Sequence, residues 1–142
     1  MEAFPKHSKG FSLTGLIVIM FIIVILMGIA MSSYRYMLDR ARLVSSVVAL
    51  ETVKLAIEVY SGDYSGYPSS INFANFTDQA GRPILEASSW NNVQKKIYSW
   101  ESYTVAGDSY TLQAKALDSS NTVLTLTPTG VTYRGNLLEG EI

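Results

Sequence analysis

Few side chains in this sequence are of the kinds that do chemistry. His7 is the only histidine, and cysteine is absent. A thiolate nucleophile, a disulfide and a thiolate metal site are therefore excluded, and no histidine-based triad is available beyond the N-terminus. No phosphate loop and no EF-hand spacing occurs. Tyr98, Trp100 and Tyr103 alternate with polar residues at sheet spacing, and packing is the plain reading of them. A nucleic-acid or adhesin-like surface would need companion cations, and only Lys95-Lys96 stands beside them. The whole chain is nearly balanced, with 11 basic and 12 acidic residues, so a basic nucleic-acid face is not expected. No enzyme activity and no cofactor are expected. What remains is Lys9-Gly10-Phe11-Ser12-Leu13, where a charge-free apolar run begins.

That run extends from Phe11 to Met31, roughly 30 Å of helix, the thickness of a bilayer core. It is long for the apolar part of a secretory signal. Gly28-Ile29-Ala30 has the form of a signal cleavage site, so a discarded signal with a start at Met31 is one alternative. A plain uncleaved anchor is another. Lys6 and Lys9 precede the run, and Arg35, Arg40 and Arg42 follow it. A count of these cations does not place the N-terminus inside. The helical signal then continues. No Gly or Pro interrupts Ser33 to Tyr60. Glu51, Lys54 and Glu58 share one side of that helix, and Ala49, Val53, Ala56 and Tyr60 share the other. The spacing predicts a helix end at Ser61-Gly62-Asp63, with Gly62 as the left-handed cap.

From Ser61 to Asn92, glycines, prolines, serines and asparagines read as a loop. Phe73, Phe76, Ile84, Leu85 and Trp90 suggest that it packs down, and Arg82 to Ser89 could hold one helical turn. From Lys95 the period becomes two. Ile97–Val105, Tyr110–Ala116, Val123–Thr127 and Val131–Arg134 read as successive hairpins of one antiparallel meander. The expected fold is α+β, with the apolar side of a long N-terminal helix lying on a small C-terminal antiparallel sheet.

At Lys9-Gly10-Phe11-Ser12-Leu13 the chain resembles the processing site of type IV pilins and type II secretion pseudopilins. Tyr34 and the stretch Tyr60-Ser61-Gly62-Asp63-Tyr64-Ser65-Gly66-Tyr67-Pro68 resemble the same family. Asp78-Gln79-Ala80-Gly81-Arg82-Pro83-Ile84 is a loose match to a loop of the major pseudopilins. The resemblance implies a leader (1–10) cut by prepilin peptidase between Gly10 and Phe11, with N-methylation of Phe11. It implies a transmembrane and filament-core helix (11–32), an amphipathic half (33–61), an αβ-loop (62–94) and a sheet head (95–142). The partners it implies are other pilin or pseudopilin subunits, an inner-membrane assembly platform, and membrane lipid before assembly. The head would stand in the periplasm or outside, first on a single-pass inner-membrane anchor and then in a filament. Heads of this family sometimes bind calcium, which singles out Asp63, Asp78 and Glu86, although solvated loop acids are the plainer reading.

Two positions depart from the family. Gly15 stands where most members carry Glu, and Ser32 where many carry Pro. The family's Glu is thought to neutralise a neighbour's N-terminal amine, so its loss resembles a minor, tip-located subunit. The alternatives are a divergent repeating subunit, with Gly15 as a helix contact point, and a signal-anchored exported binding domain. Deleting residues up to about Val44 is expected to leave a soluble head. If the peptidase must approach the Gly10 backbone closely, a Cβ obstructs it. Gly10→Val is then expected to leave the full-length precursor in the membrane, seen as unshortened protein on a gel.

Overall fold

The computed structural model of the chain describes residues 12–134. These fall into two compact units, divided between Met37 and Leu38. Apart from Ser12, one helix, α1 (Leu13–Tyr64), supplies all that is described of the first unit, and it also opens the second. In the first unit its large apolar side chains, from Leu13 through Met31, are exposed on every side of the helix. This is the one described helix long and apolar enough to cross a membrane.

In the second unit, the head, α1 becomes one-sided. Leu43, Ser46, Ala49, Leu50, Val53, Ala56, Ile57 and Tyr60 are buried, at spacings of three and four that put them on one face. The expected set Ala49, Val53, Ala56 and Tyr60 is among them. Glu58 on the other side is exposed and pairs with Lys54 at 3.7 Å.

Four strands lie in the order β1 (Ile97–Ala106), β2 (Ser109–Ala116), β3 (Val123–Thr127) and β4 (Gly130–Arg134), each antiparallel to the next. Tyr110, Leu112, Ala114 and Ala116 of β2 and Leu124 and Leu126 of β3 are buried in one cluster with the apolar face of α1. The α+β meander read from the sequence is the observed fold. The β1–β2 connection is the two-residue turn Gly107-Asp108, and Gly107 takes φ +59 as such a hairpin requires.

Strand β1 departs from simple alternation. Its register against β2 shifts between Ile97 and Ser99 and again between Trp100 and Ser102. Strict alternation would put Trp100 and Tyr103 on opposite faces. The second bulge brings both inward, opposite Ala114 and Leu112. Bulges also blunt an edge strand against pairing with foreign chains.

The end of α1 corrects an expectation. The helix continues through Gly62 to Tyr64, and Ser65 rather than Gly62 takes the left-handed conformation, at φ 56. The Gly66 N–H then reaches back to the Ser61 carbonyl at 3.2 Å, closing the helix as a Schellman turn. The long connection that follows is held by aromatic rings. Phe76 lies 4.5 Å from Trp90, Trp90 lies 5.1 Å from Trp100, and Phe73 stacks on Trp100 at 5.5 Å. The short helix α2 (Ala87–Gln94) carries Trp90, later in the chain than the turn expected over Arg82 to Ser89.

A polar pin fixes α1 on the sheet. The Ser46 hydroxyl, wholly buried, donates to the Lys96 carbonyl at 2.5 Å and accepts from the Leu117 N–H at 3.2 Å. These groups lie 50 and 71 residues away in sequence, so one hydroxyl joins the helix to the start of β1 and the end of β2. The boundaries of a soluble head follow from these contacts. Leu43 is 1 % exposed and Asp39 accepts from the Ser119 hydroxyl, so a cut near Val44 removes core. A fragment starting at Leu38 is expected to be a soluble monomer of mixed helix and strand. One starting after Val44 should be weaker by about 2–5 kcal/mol in urea, the cost of losing a buried leucine.

Candidate functional site

Gly10 and Phe11, the expected cleavage and methylation positions, lie outside the described residues. Gly15 is the third residue of α1 and is half-buried. Among the described residues, a Cβ added there would meet nothing within 4 Å, so their packing does not demand glycine. No acid stands in the first turn of α1. Asp39, the nearest acid further along, accepts from Ser119 and lies 3.9 Å from Arg42. Asp39 stands 28 positions after Phe11 in the sequence.

This N-terminal stretch, with its basic residues, Gly-Phe junction and charge-free helix, invites comparison with known proteins. Residues 5–31 match the prokaryotic N-terminal methylation motif. That motif is characteristic of type IV pilins and pseudopilins. The match covers the N-terminal segment through Met31 and none of the head. Neither curated proteins nor solved structures gave a match. The methylation motif and the long apolar helix fit a membrane-anchored, exported protein of pilin or pseudopilin type. They imply processing by prepilin peptidase and assembly with other pilin subunits in general.

The head holds a second cluster, which the sequence reading did not find. Asp78 is 3 % exposed. Its carboxylate accepts from the Tyr60 hydroxyl at 2.7 Å, from the Ala80 and Arg82 backbone N–H groups at 2.9 and 2.8 Å, and from Arg82 Nε at 2.7 Å. The Arg82 guanidinium also lies 4.2 Å over the Tyr64 ring, and Tyr64 packs 4.6 Å from Tyr60. The last turn of α1 is thus clamped to the loop 78–82 by one carboxylate, one guanidinium and two phenols. Arg82 suits the place because its fork gives geometry and its flat face stacks. Local spacing gave one signal, Asp and Arg four apart around Gly81, whose φ is +76. Tyr60 is distant in sequence and gave none.

The expected calcium candidates do not meet. Among the described residues, no three acidic or histidine side chains gather closely enough to hold a metal, and Asp78 is occupied by Tyr60 and Arg82. Of the aromatic series, Trp100 and Tyr103 pack against the core, and Tyr103 donates to the Pro68 carbonyl at 2.9 Å. Tyr98 remains exposed.

Burial pushes the Asp78 carboxyl up, but hydrogen bonds from Tyr60, Arg82 and Ala80 outweigh it and hold the group at about 2, against an ordinary 3.8. A carboxyl held low stabilises the fold above its unfolded value and loses that contribution as pH falls through its folded value. The head's thermal midpoint is therefore expected to fall as pH drops from about 4 to about 2. Asp78→Asn should lower the midpoint by several degrees at neutral pH and flatten the fall below pH 4, measured by circular dichroism.

Proposed function

We propose that the chain is a structural subunit of a type IV pilus or a type II secretion pseudopilus, in a minor or tip-located role. The leader ends at Gly10, Phe11 becomes the methylated first residue, and α1 anchors the subunit and then joins the filament core. The observation that carries the family reading is the methylation motif at residues 5–31. The mature N-terminus tests it. Mass analysis should find methyl-Phe at Phe11. An intact Met1 would instead indicate a plain anchored binding domain, and a start at Met31 a discarded signal.

The minor role rests on Gly15. An N-terminal ammonium buried among helices without a partner costs several kcal/mol. With Gly at this position the chain offers no carboxylate near a neighbour's amine, and Asp39 is too far along the helix. A homopolymer repeats that cost in every subunit, whereas a tip subunit or a rare insert incurs it little or not at all. The protein alone is expected to form few filaments, and Gly15→Glu to raise its incorporation into a shaft, counted by electron microscopy of sheared fractions. Abundant filaments from the unchanged sequence would favour the repeating-subunit reading.

A further inference from the structure

The cations that follow the apolar run are joined in the folded head by others from far along the chain. Ser46 Oγ is bonded to the carbonyls of both Arg42 and Lys96. This puts Arg42 and Lys96, with Arg40 and Lys95 near them in the chain, at the end of the head where the chain enters it, and all four are exposed. Among the described residues, the acids at this end are engaged: Asp39 with Ser119 and Arg42, and Asp118, 4 % exposed, with the Thr122 N–H and hydroxyl. Two large apolar side chains are exposed beside the cations, Tyr98 at 61 % and Leu117 at 40 %. The far end, where Tyr103 and Tyr110 meet Pro68 and Tyr67, carries the exposed acids Asp63 and Asp108 instead.

We propose that this basic end of the head, with Tyr98 and Leu117 as its apolar contacts, docks on the anionic phospholipid surface of the membrane that holds the apolar helix. The chemistry is that of an interfacial surface: cations for phosphate headgroups, with an aromatic and a leucine at headgroup depth. Proximity follows from the covalent chain. The residues between Met31 and Arg40 keep this face within about 30 Å of the membrane even fully extended, so the docking is intramolecular and needs little intrinsic affinity. The inference gives the trailing Arg40 and Arg42 a role that leader processing does not. It requires only that the apolar segment sit in a bilayer, so it stands or falls apart from the filament reading.

The chain has no cysteine, so one introduced cysteine carries one label. The full chain is reconstituted in vesicles containing nitroxide-headgroup lipid, with bimane on Ser120→Cys at the basic end or on Ser109→Cys at the far end. Quenching of the Ser120→Cys label should be greater in vesicles with about one-third phosphatidylglycerol than in pure phosphatidylcholine, and should decline with added salt. The Ser109→Cys label should not distinguish the two lipids. Lys95→Glu/Lys96→Glu should lower the docked-to-undocked ratio at least tenfold, since each cation near an anionic surface is worth roughly fivefold. Lys95→Ala/Lys96→Ala should act in the same direction if the acidic pair disturbs folding. Equal quenching in both lipids would overturn the proposal, as would quenching that persists in a folded Lys95/Lys96 variant. So would a variant that loses cross-links between copies while keeping its lipid contact, which would make the basic end a protein interface.

Discussion

One helix, α1 (Leu13–Tyr64), is apolar on every side in its first half and one-sided in its second, and the rest of this protein depends on that change. In the bilayer no backbone group can be left to water, so an uninterrupted helix with apolar side chains on every side is the available solution. Beyond Leu38 only one face needs cover, and the side chains divide accordingly. Leu43, Leu50, Val53 and Ile57 are almost wholly buried, while Leu55 and Val59 on the outward side are more than half exposed. The sheet exists to cover that one face. A meander of short strands does so with local hairpins alone, without a crossover.

Apolar burial brings helix and sheet together but does not fix their register, because it has no direction. Two polar contacts supply direction, one toward each end of the head. Ser46 matches the helix to the Lys96 carbonyl and the Leu117 N–H. Asp78 and Arg82 match the helix end to the loop through Tyr60 and Tyr64. Each is buried enough that a slip would leave polar groups unpaired, at about 1–3 kcal/mol apiece for neutral ones. The aromatic stack from Phe73 through Trp100 and Trp90 to Phe76 then fastens the long connection between the pins.

The features on which the proposals rest lie where the described fold makes no demand. Among the described residues, a Cβ at Gly15 meets nothing within 4 Å. The exposed cations at the basic end likewise contribute nothing to the core. The head therefore reads as a scaffold whose interior is settled by packing and whose two ends differ in charge.

The sequence by itself determined the elements. Apolar continuity from Phe11 to Met31 marked a stretch long and apolar enough to cross a membrane, three- and four-residue spacing marked the buried face of α1, and period-two stretches marked four strands in meander order. The methylation motif was equally legible, because it lies within one short stretch of chain. These are local patterns, set by repeat geometry within one element. Only the tertiary structure decided the rest. Gly62 was the obvious cap by composition, yet Tyr60 and Tyr64 are held by Asp78 and Arg82, and the helix runs on until Ser65. Trp100 and Tyr103 share a face only because pairing with β2 forces a bulge. Arg42 and Lys96 share an end only because both carbonyls meet one serine hydroxyl. Each of these arrangements depends on contacts between residues well separated in the chain, and such contacts form only when burial of the common core offsets the entropy of bringing them together.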